Sequence, residues 1–286
     1  MLRRHPLTGE PILYAPERGA RPRAFLGAAE EERCPFCPGH EADTPPELAR
    51  VAAAAGDPWR VRVVPNKYPP ADDAEVIVES PRHTDVFHDV AHGGDAVRTY
   101  AERYAAHADA AYIALFKNHG ERAGSSLAHI HSQLVPLPFV PPRIAKESEA
   151  FARAKRCPVC AIVDVHRDEA LTLRETESFV WLTPWASWMP YQQWLVPKRH
   201  VPDMMTLASE AAPELASLLR DASAAMTAIA PAYNWTFVNF RGVAAAHAYV
   251  DLFPRVANLA GLELGTGAFI QVVDPSAAAR RLRRRP

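Results

Sequence analysis

The same four landmarks occur twice along the chain, and this duplication constrains the fold more than any other feature. Each half begins with a Cys-x-x-Cys pair, reaches a histidine shortly after a proline, and continues to an extended segment that opens with another histidine. In the first half His83 follows Cys37 by 46 residues and His129 follows His83 by 46, whereas the corresponding gaps in the second half are 40 and 47. This matched spacing predicts two similar halves, at 1–142 and 143–286.

Each half is predicted to be an α+β unit, a mainly antiparallel sheet crossed by a helix. Alternating apolar residues favour strands, and apolar residues at helical spacing favour helices. The predicted helices lie at residues 44–56, 94–111, 143–156 and 207–229. The predicted strands lie at residues 59–65, 75–79, 112–116, 129–137, 179–182, 192–196, 235–240 and 248–253.

Composition limits the classes of protein that fit. The 286 residues include 48% hydrophobic side chains, enough to bury a core, and the net charge of −1 argues against a nucleic-acid partner. No apolar run reaches the roughly 18 to 20 residues of a membrane span, and the first residues lack the apolar core of a secretory signal. We expect a cytoplasmic protein without a membrane partner, and a solvated tail at the arginine run 280–285.

The segment around His131 carries the most chemistry. In a strand, His129, His131 and Gln133 lie on one face, so two imidazoles and an amide meet at one location. A neutral imidazole held in one tautomer can attack a phosphoryl group, and an adjacent amide can donate to its oxygens. Ser125 and Ser126 in the preceding turn add hydroxyl donors. The alternative is a polar strand edge that carries two histidines without function.

With its flanking residues this segment resembles the galactose-1-phosphate uridylyltransferase branch of the histidine triad superfamily. The motif of that branch is a histidine, one residue, the nucleophilic histidine, one residue and a glutamine. The stretch from Phe116 to Gln133 is closer still to ADP-glucose phosphorylase-like relatives, which have a lysine before the asparagine. Further matching segments follow in order: Cys34-Pro35-Phe36-Cys37, Val64-Pro65-Asn66-Lys67-Tyr68-Pro69, Ser80-Pro81-Arg82-His83, Pro197-Lys198-Arg199-His200 and Leu262-Glu263-Leu264-Gly265-Thr266-Gly267.

The resemblance implies double displacement at phosphorus. His131 would attack the α-phosphorus of a nucleotide sugar, release a sugar 1-phosphate and hold the nucleotidyl group until an acceptor phosphate removes it. A hydrogen bond from Nδ1 of His131 to the carbonyl of His129 would leave Nε2 to attack. We expect catalytic roles for His131, Gln133 and Ser126, and substrate contacts from Asn66, Lys117, Asn118 and Ser125.

The four cysteines form two Cys-x-x-Cys pairs with none left over, which in a reducing compartment favours metal binding over disulfides. Two sulfur and two nitrogen ligands suit tetrahedral Zn²⁺ with every position filled, so each expected zinc is structural. The expected ligand sets are Cys34, Cys37, His83 and His129, and Cys157, Cys160, His200 and His247. An unmetallated turn is the alternative for the first set, and a different metal or none is the alternative for the second.

The second half departs from the motif. Tyr249 stands where a second nucleophile would be, so only the first half is predicted to be catalytic. Ile130 replaces the proline that the family usually has between its two histidines. Ala257 falls where uridylyltransferases place a lysine for the hexose phosphate, which argues against galactose 1-phosphate as the acceptor. The resemblance also implies that the halves lie side by side as a pseudo-dimer and that the chain forms a homodimer.

Three functions remain open at this point. A nucleotidyltransferase that exchanges a nucleotidyl group between a nucleotide sugar and a sugar 1-phosphate is favoured. A phosphorylase would instead use inorganic phosphate on a nucleotide sugar such as ADP-glucose or on a dinucleoside polyphosphate, which Lys117 and the two full zinc sets support. A zinc-stabilised nucleotide-binding module without turnover is the third. The sequence does not distinguish between bases or between sugars.

Overall fold

The computed structural model describes residues 2–4, 9, 11–13, 15, 34–53, 58–168 and 170–283. Its main element is a ten-stranded sheet in which all neighbouring strands are antiparallel. Strands β1 (Leu2–Arg4) and β2 (Pro11–Leu13) form a separate ribbon. The large sheet contains β3 (Ala49–Val51), β4 (Val61–Pro65), β5 (Glu75–Val78), β6 (Tyr112–His119), β7 (His131–Leu137), β8 (Thr172–Glu175), β9 (Phe179–Leu182), β10 (Gln193–Pro197), β11 (Tyr233–Val238) and β12 (Tyr249–Pro254).

The strand order is the same in both halves when it is followed from each edge to the centre. It runs β3-β4-β5-β7-β6 from one edge and β8-β9-β10-β12-β11 from the other. The two central strands, β6 and β11, pair directly, with Leu115 opposite Phe237 and His119 opposite Tyr233. The predicted fold, two tandem α+β halves joined as a pseudo-dimer, is therefore confirmed.

The helices cover both faces of the sheet. They are α1 (Gly93–Ala106), α2 (Pro142–Arg153), α3 (Pro158–Asp168), α4 (Met205–Glu210), α5 (Ala212–Thr227), α6 (Gly261–Thr266) and α7 (Pro275–Arg283). Helices α1, α4, α5 and α7 contribute to the largest hydrophobic cluster, on one face, whereas α2 and α3 contribute to a second cluster on the other. Among the described residues, no helix combines the length and apolarity that crossing a bilayer requires.

The largest cluster crosses the boundary between the halves. The ring of Tyr100 on α1 lies 5.8 Å from that of Phe237 on β11, and the rings of Phe87 and Trp235 lie 4.9 Å apart in an edge-to-face contact. Each of these pairs joins the first half to the second. The two halves therefore share one hydrophobic core. Aromatic pairs of this kind stabilise it beyond the free energy gained by burial alone.

Strand β7 carries the predicted alternation. Ile130 and Leu134 are buried in the cluster under α1 and α5, whereas Val135 and Leu137 belong to the cluster on the opposite face. His131 and Gln133 therefore lie on the face away from α1 and α5. His129 precedes the hydrogen-bonded part of the strand, which begins at His131.

Residues 44–56 do not form the predicted helix. Strand β3 occupies their centre and pairs with β4, and Leu48 N donates to Val63 O. Pro45 and Pro46 disfavour helical backbone in the residues before them, and pairing with a sheet edge outweighs the helix propensity of the alanines. Residues 54–57 lie outside the described part.

One further prediction needs correction in the second half. The predicted helix 207–229 is two helices, α4 and α5, which meet at Ala211. Pro213 accounts for the break, because its ring has no N–H and tolerates only the first turn of a helix. The described arginines of the run 280–285, Arg280, Arg281 and Arg283, are exposed as expected, but they lie on helix α7, whose Leu282 is buried. Arg283 donates to the carbonyl of Thr172 at 2.7 Å. Residues 284–286 lie outside the described part.

Candidate active site and metal centres

His131 is the first residue of β7 and is almost completely buried. Its Nδ1 lies 2.8 Å from the carbonyl oxygen of His129, which is the hydrogen bond expected from the sequence. A carbonyl only accepts, so the proton lies on Nδ1 and Nε2 carries the lone pair. The ring of Phe36 packs edge-on against His131 at 5.4 Å and restricts its orientation. The imidazole is therefore held in the tautomer that nucleophilic attack through Nε2 requires.

Gln133 and Asn66 lie together on the same face of the sheet as His131. Nδ2 of Asn66 is 3.4 Å from Oε1 of Gln133, and Oδ1 of Asn66 accepts from the backbone N–H of Tyr68 at 3.0 Å. The carbonyl end of the Gln133 amide is thereby directed at Asn66. Its NH₂ group is left as the donor for phosphoryl oxygens bound near His131.

The other predicted polar residues lie at the junction of the two halves. Oδ1 of Asn118 accepts from Nδ2 of Asn234 on β11 at 2.8 Å, so the second half holds this amide in place. The hydroxyl of Ser125 donates to the carbonyl of Leu127 at 2.8 Å and stabilises the turn. The hydroxyl proton of Ser125 is therefore used within the turn. Ser126 is half-buried.

The loop between β6 and β7 depends on Gly120. Its φ is +80°, and a Cβ atom at this position would lie 2.9 Å from the Cβ of Ala232 and 3.0 Å from the carbonyl oxygen of Pro231. A side chain is therefore excluded both by the backbone conformation and by the adjacent segment. This close approach fixes the start of the loop that carries the two serines.

Lys117 does not face the candidate site. Alternation along β6 places it on the opposite face from Asn118, where its side chain is 1% exposed. Its Nζ donates to the carboxylate of Glu79 and, at 2.9 Å, to the carbonyl oxygen of His131. The expected substrate contact by Lys117 is thus not supported by its position. The residue instead supports the main chain of the candidate nucleophile.

Glu79 is the centre of a buried polar network that the sequence analysis missed. Its carboxylate accepts from Lys117, from the hydroxyl of Tyr100 and, at 2.5 Å, from Oγ of Ser132. Burial lowers the pKa of Lys117, whereas the Glu79 carboxylate opposes that effect. Burial raises the pKa of the Tyr100 phenol well above its ordinary value, so Tyr100 remains a neutral donor. The only sequence signal was a glutamate at the end of an apolar strand.

The first Cys₂His₂ group lies directly beside His131. Nδ1 of His129 is 3.6 Å from Sγ of Cys34 and 3.5 Å from Sγ of Cys37, and Nδ1 of His83 is 3.3 Å from Sγ of Cys37. All four donor atoms lie within 4.8 Å of one another. Nε2 of His129 donates to the carbonyl of Ser80 at 2.7 Å, which directs Nδ1 at the cluster. The group fits a tetrahedral metal ion with no open position.

The second Cys₂His₂ group repeats this arrangement at the start of α3. Sγ of Cys160 is 3.3 Å from Nδ1 of His247 and 3.5 Å from Nδ1 of His200, and Sγ of Cys157 is 3.8 Å from Nδ1 of His247. Nε2 of His247 donates to the carbonyl of Pro197 at 2.9 Å, as His129 does to Ser80. Both groups can therefore bind a metal ion.

Burial lowers the pKa values of two of the cluster histidines. For His129 and His247 the pKa falls to about 4, because burial disfavours the charged imidazolium. Both imidazoles are therefore neutral at physiological pH, which is the form that binds a metal.

Tyr249 occupies in the second half the place that His131 has in the first. Each is the first residue of its strand and follows a cluster histidine by two residues. The Tyr249 hydroxyl donates to Glu147 at 2.9 Å and accepts from Arg143 at 3.1 Å. Burial raises its pKa well above the ordinary value, so the phenol stays protonated. This position in the second half carries no nucleophile.

One complete His-x-His-x-Gln motif and one degenerate copy on a duplicated fold are the features from which the sequence predicted a galactose-1-phosphate uridylyltransferase-like protein. The chain belongs to the DUF4921 family, described as a domain of unknown function, whose profile matches residues 95–285. The resemblance inferred from the motifs is therefore confirmed.

Individual relatives are similar over most of the chain. The ADP-glucose phosphorylase of Arabidopsis thaliana is 29% identical over 99% of this chain and 92% of its own length. Its crystal structure with bound ADP-glucose superposes with a TM-score of 0.76, covering 99% of this chain and 97% of that one. A uridylyltransferase structure, 28% identical, covers the same shares with a TM-score of 0.80.

The galactose-1-phosphate uridylyltransferase of Thermotoga maritima is 30% identical over 60% of this chain and 59% of its own length. These relatives are enzymes, and the predicted class, an enzyme of the nucleotidyl-transfer type, is confirmed.

Proposed function

We propose that the protein transfers a nucleoside monophosphate from a nucleotide sugar to a sugar 1-phosphate through a covalent intermediate on His131. The observation that supports this most directly is the hydrogen bond between Nδ1 of His131 and the carbonyl of His129. It assigns the lone pair to Nε2, on the face that Gln133 shares. The buried amide of Gln133 on this face would be the donor for the phosphoryl oxygens.

The reaction consists of two in-line displacements. Nε2 of His131 attacks the α-phosphorus, an N–P bond forms, and the bond between that phosphorus and the bridging oxygen breaks, so the sugar 1-phosphate leaves with the electron pair. A phosphate oxygen of the acceptor then attacks the same phosphorus and the N–P bond breaks, which restores the imidazole. The Nδ1 proton stays on the ring throughout. The His129 carbonyl stabilises the positive charge on the nucleotidylated imidazole.

Polar side chains on the same face assist both steps. The NH₂ group of Gln133 and the hydroxyl of Ser126 donate to the non-bridging oxygens, where negative charge increases in the transition state. Asn118 offers its NH₂ group, since Asn234 occupies its oxygen. Asn66 orients Gln133 and borders the nucleoside.

We propose zinc in both Cys₂His₂ groups. Cys34, Cys37, His83 and His129 would hold the first ion, and Cys157, Cys160, His200 and His247 the second. Bound zinc supplies no reactive water or open coordination position in a closed site of this type, only rigidity. In the first group that rigidity fixes His129, whose carbonyl holds His131.

A phosphorylase is the second candidate. The full-length similarity to an ADP-glucose phosphorylase favours it, because that match spans both halves. The two functions share the His131 intermediate and differ only in whether a sugar 1-phosphate or inorganic phosphate removes the nucleotidyl group.

Intact-protein mass spectrometry tests the shared intermediate. The protein is mixed separately with UDP-glucose, ADP-glucose, UDP-galactose and GDP-mannose, beside a His131→Gly variant. We expect an acid-labile adduct of one nucleoside monophosphate on the wild type and none on the variant. Nucleotide binding without an adduct for any donor would reject both transfer functions and favour a binding module without turnover.

The isolated adduct then separates the two acceptors. It is mixed with glucose 1-phosphate, galactose 1-phosphate or inorganic phosphate, and the released product is identified by chromatography. Regeneration of a nucleotide sugar supports the transferase. Release of a nucleoside diphosphate with inorganic phosphate alone supports the phosphorylase instead.

We also propose that the chain works as a cytoplasmic homodimer. The described part of the C-terminal segment exposes large apolar side chains, with Leu264 73%, Ile270 56% and Val272 75% exposed. Large apolar side chains exposed close together in sequence would form a subunit interface if they lie on one surface. Light scattering on a sizing column should give twice the chain mass of 31.5 kDa for the wild type, and a Leu264→Asp, Val272→Asp variant should elute as a monomer.

A further inference from the structure

A cavity of about 530 Å³ opens beside Tyr249, at the position in the second half that corresponds to the candidate active site of the first. Its volume lies within the range of small-molecule sites. Its walls are apolar and largely aromatic. Trp188, Trp194, Phe269 and Phe151 contribute rings, and Val159 and Ile162 of α3 complete the lining.

Four of the aromatic rings that line the cavity contact each other in two pairs. Trp188 lies 5.3 Å from Phe269, and Trp194 lies 4.6 Å from Tyr249 in a tilted stack. Trp188 also packs on Phe253 at 4.8 Å, which anchors it to β12. Walls of this kind bind a flat ring well, because aromatic side chains stack on nucleobases whatever the identity of the base.

The floor of the cavity is a connected polar network. Arg143 donates from Nε to Glu147 at 2.8 Å and from Nη2 to Asp251 at 3.0 Å, while Tyr249 donates to the other oxygen of Glu147 at 2.9 Å. Gln192 donates to Asp251 at 2.6 Å. Asp251, Gln192 and Tyr249 are nearly completely buried, so this network is a built feature and not a surface cluster.

The network leaves one hydrogen-bond donor and one hydrogen-bond acceptor available to a ligand. The Nη1 group of Arg143 has no partner among the described residues, and the partly exposed Glu147 carboxylate retains accepting capacity. One guanidinium and two carboxylates leave a net charge of −1, which disfavours a phosphate at the floor. A ligand that matches these two groups has an adjacent hydrogen-bond acceptor and donor on a flat uncharged ring. The edge of a nucleobase has this pattern.

We propose that this cavity is a second, non-catalytic site for a nucleoside, with the base stacked between the aromatic walls and its edge on Arg143 and Glu147. The sugar would lie toward the opening, away from the carboxylates. The site is separate from His131 and does not depend on the proposed transfer reaction. Helix α2, which carries Arg143 and Glu147, follows β7 after four residues, so the cavity floor is connected along the chain to the strand of His131.

Calorimetric titration with adenosine and with uridine, neither of which carries a phosphate, tests the proposal on the full chain. We expect at least one of them to bind to the wild type and to His131→Gly with dissociation constants within twofold of each other. Glu147→Gln should raise the constant at least tenfold, because the amide replaces one of the two acceptor oxygens with an NH₂ group and Arg143 or Tyr249 already contacts the oxygen that remains. Trp188→Leu should do the same, whereas Trp185→Leu, at a 68% exposed position outside the lining, should not.

Photo-crosslinking with 8-azidoadenosine locates the ligand independently of these variants. Label on the tryptic peptide 175–198, which contains both cavity tryptophans, supports the site even if Trp188→Leu fails to fold. Label confined to residues 129–133 would overturn the proposal, as would the absence of binding by either nucleoside at millimolar concentration. Binding of benzamidine but of neither nucleoside would also overturn it and would indicate a site for organic cations. Because no nucleotide sugar is present, these results are independent of whether His131 forms an adduct.

Discussion

At the scale of single residues, Lys117 donates to the main-chain carbonyl of His131, the proposed nucleophile. The ammonium group is buried and paired with Glu79, so its removal leaves an uncompensated carboxylate in the core. We expect Lys117→Met to lower the free energy of unfolding by about 3–5 kcal/mol and to slow formation of the His131 adduct. Denaturant unfolding and the rate of adduct formation measure the two effects.

The double variant Lys117→Met, Glu79→Gln is the matched control. It removes both charges, and it should recover most of the lost stability but not the adduct rate, since the donor to the His131 carbonyl is still missing. Equal recovery of both quantities would show that Lys117 contributes to folding alone.

His119 gives the protein a pH-dependent stability. Burial, followed by the nearby charge of Lys117, lowers the pKa of His119 to about 4, and its ring stacks on Tyr233 at 4.7 Å. The unfolded chain takes up this proton below a pH of about 6.5 and the folded chain only below about 4, so stability falls between these values as pH decreases. We expect the loss from pH 7 to pH 4 to be smaller by about 3 kcal/mol in His119→Gln than in the wild type.

Chemical unfolding at pH 7, 5.5 and 4 measures this difference. His92→Gln, at an exposed position, controls for the loss of a histidine as such. Parallel stability curves for His119→Gln and the wild type would contradict the assignment.

At the scale of elements, the two Cys₂His₂ groups have the same ligands, but their loss should affect the rate of adduct formation differently. The first adjoins the strand of His131, and the second joins α3 to β12. We expect two zinc ions per chain by elemental analysis, and one in either Cys34→Ser or Cys160→Ser. Cys34→Ser should slow adduct formation by roughly 10- to 100-fold, as is common when groups that orient a site are removed.

Cys160→Ser is the control for a general effect of metal loss. It should lower the melting temperature while leaving the adduct rate within about threefold of the wild type. A similar loss of rate in both variants would mean that the first group has no special relation to His131.

Local sequence patterns predicted most strands near the site, whereas they did not predict the buried polar contacts. Alternation predicted β7 and the shared face of His131 and Gln133, because burial of one face selects that period. The contact between Lys117 and Glu79 joins residues 38 positions apart and depends on how β5, β6 and β7 pair, so no local pattern indicates it. For the same reason the sequence did not indicate that the Lys117 side chain contacts Glu79. The aromatic cavity of the second half was missed because its tryptophans fit an ordinary core equally well.

At the scale of the whole molecule, the halves should unfold as one unit. The β6–β11 pairing and the shared hydrophobic cluster make the core of each half incomplete without the other. We expect a single calorimetric transition whose van't Hoff and calorimetric enthalpies agree. Two separable transitions, one of them moved by Cys160→Ser alone, would instead support independent domains at 1–142 and 143–286.

The central position of β6 has a consequence for synthesis on the ribosome. His119 pairs with Tyr233, which is translated 114 residues later. At a translation rate of about 5–20 residues per second, the edge of β6 that pairs with β11 stays unpaired for roughly 6 to 23 s. Its other neighbour, β7, has been translated by then. An unpaired strand edge in a nascent chain is a template for contact with other chains. We therefore expect the newly made first half to be prone to contact with other chains until β11 has been translated.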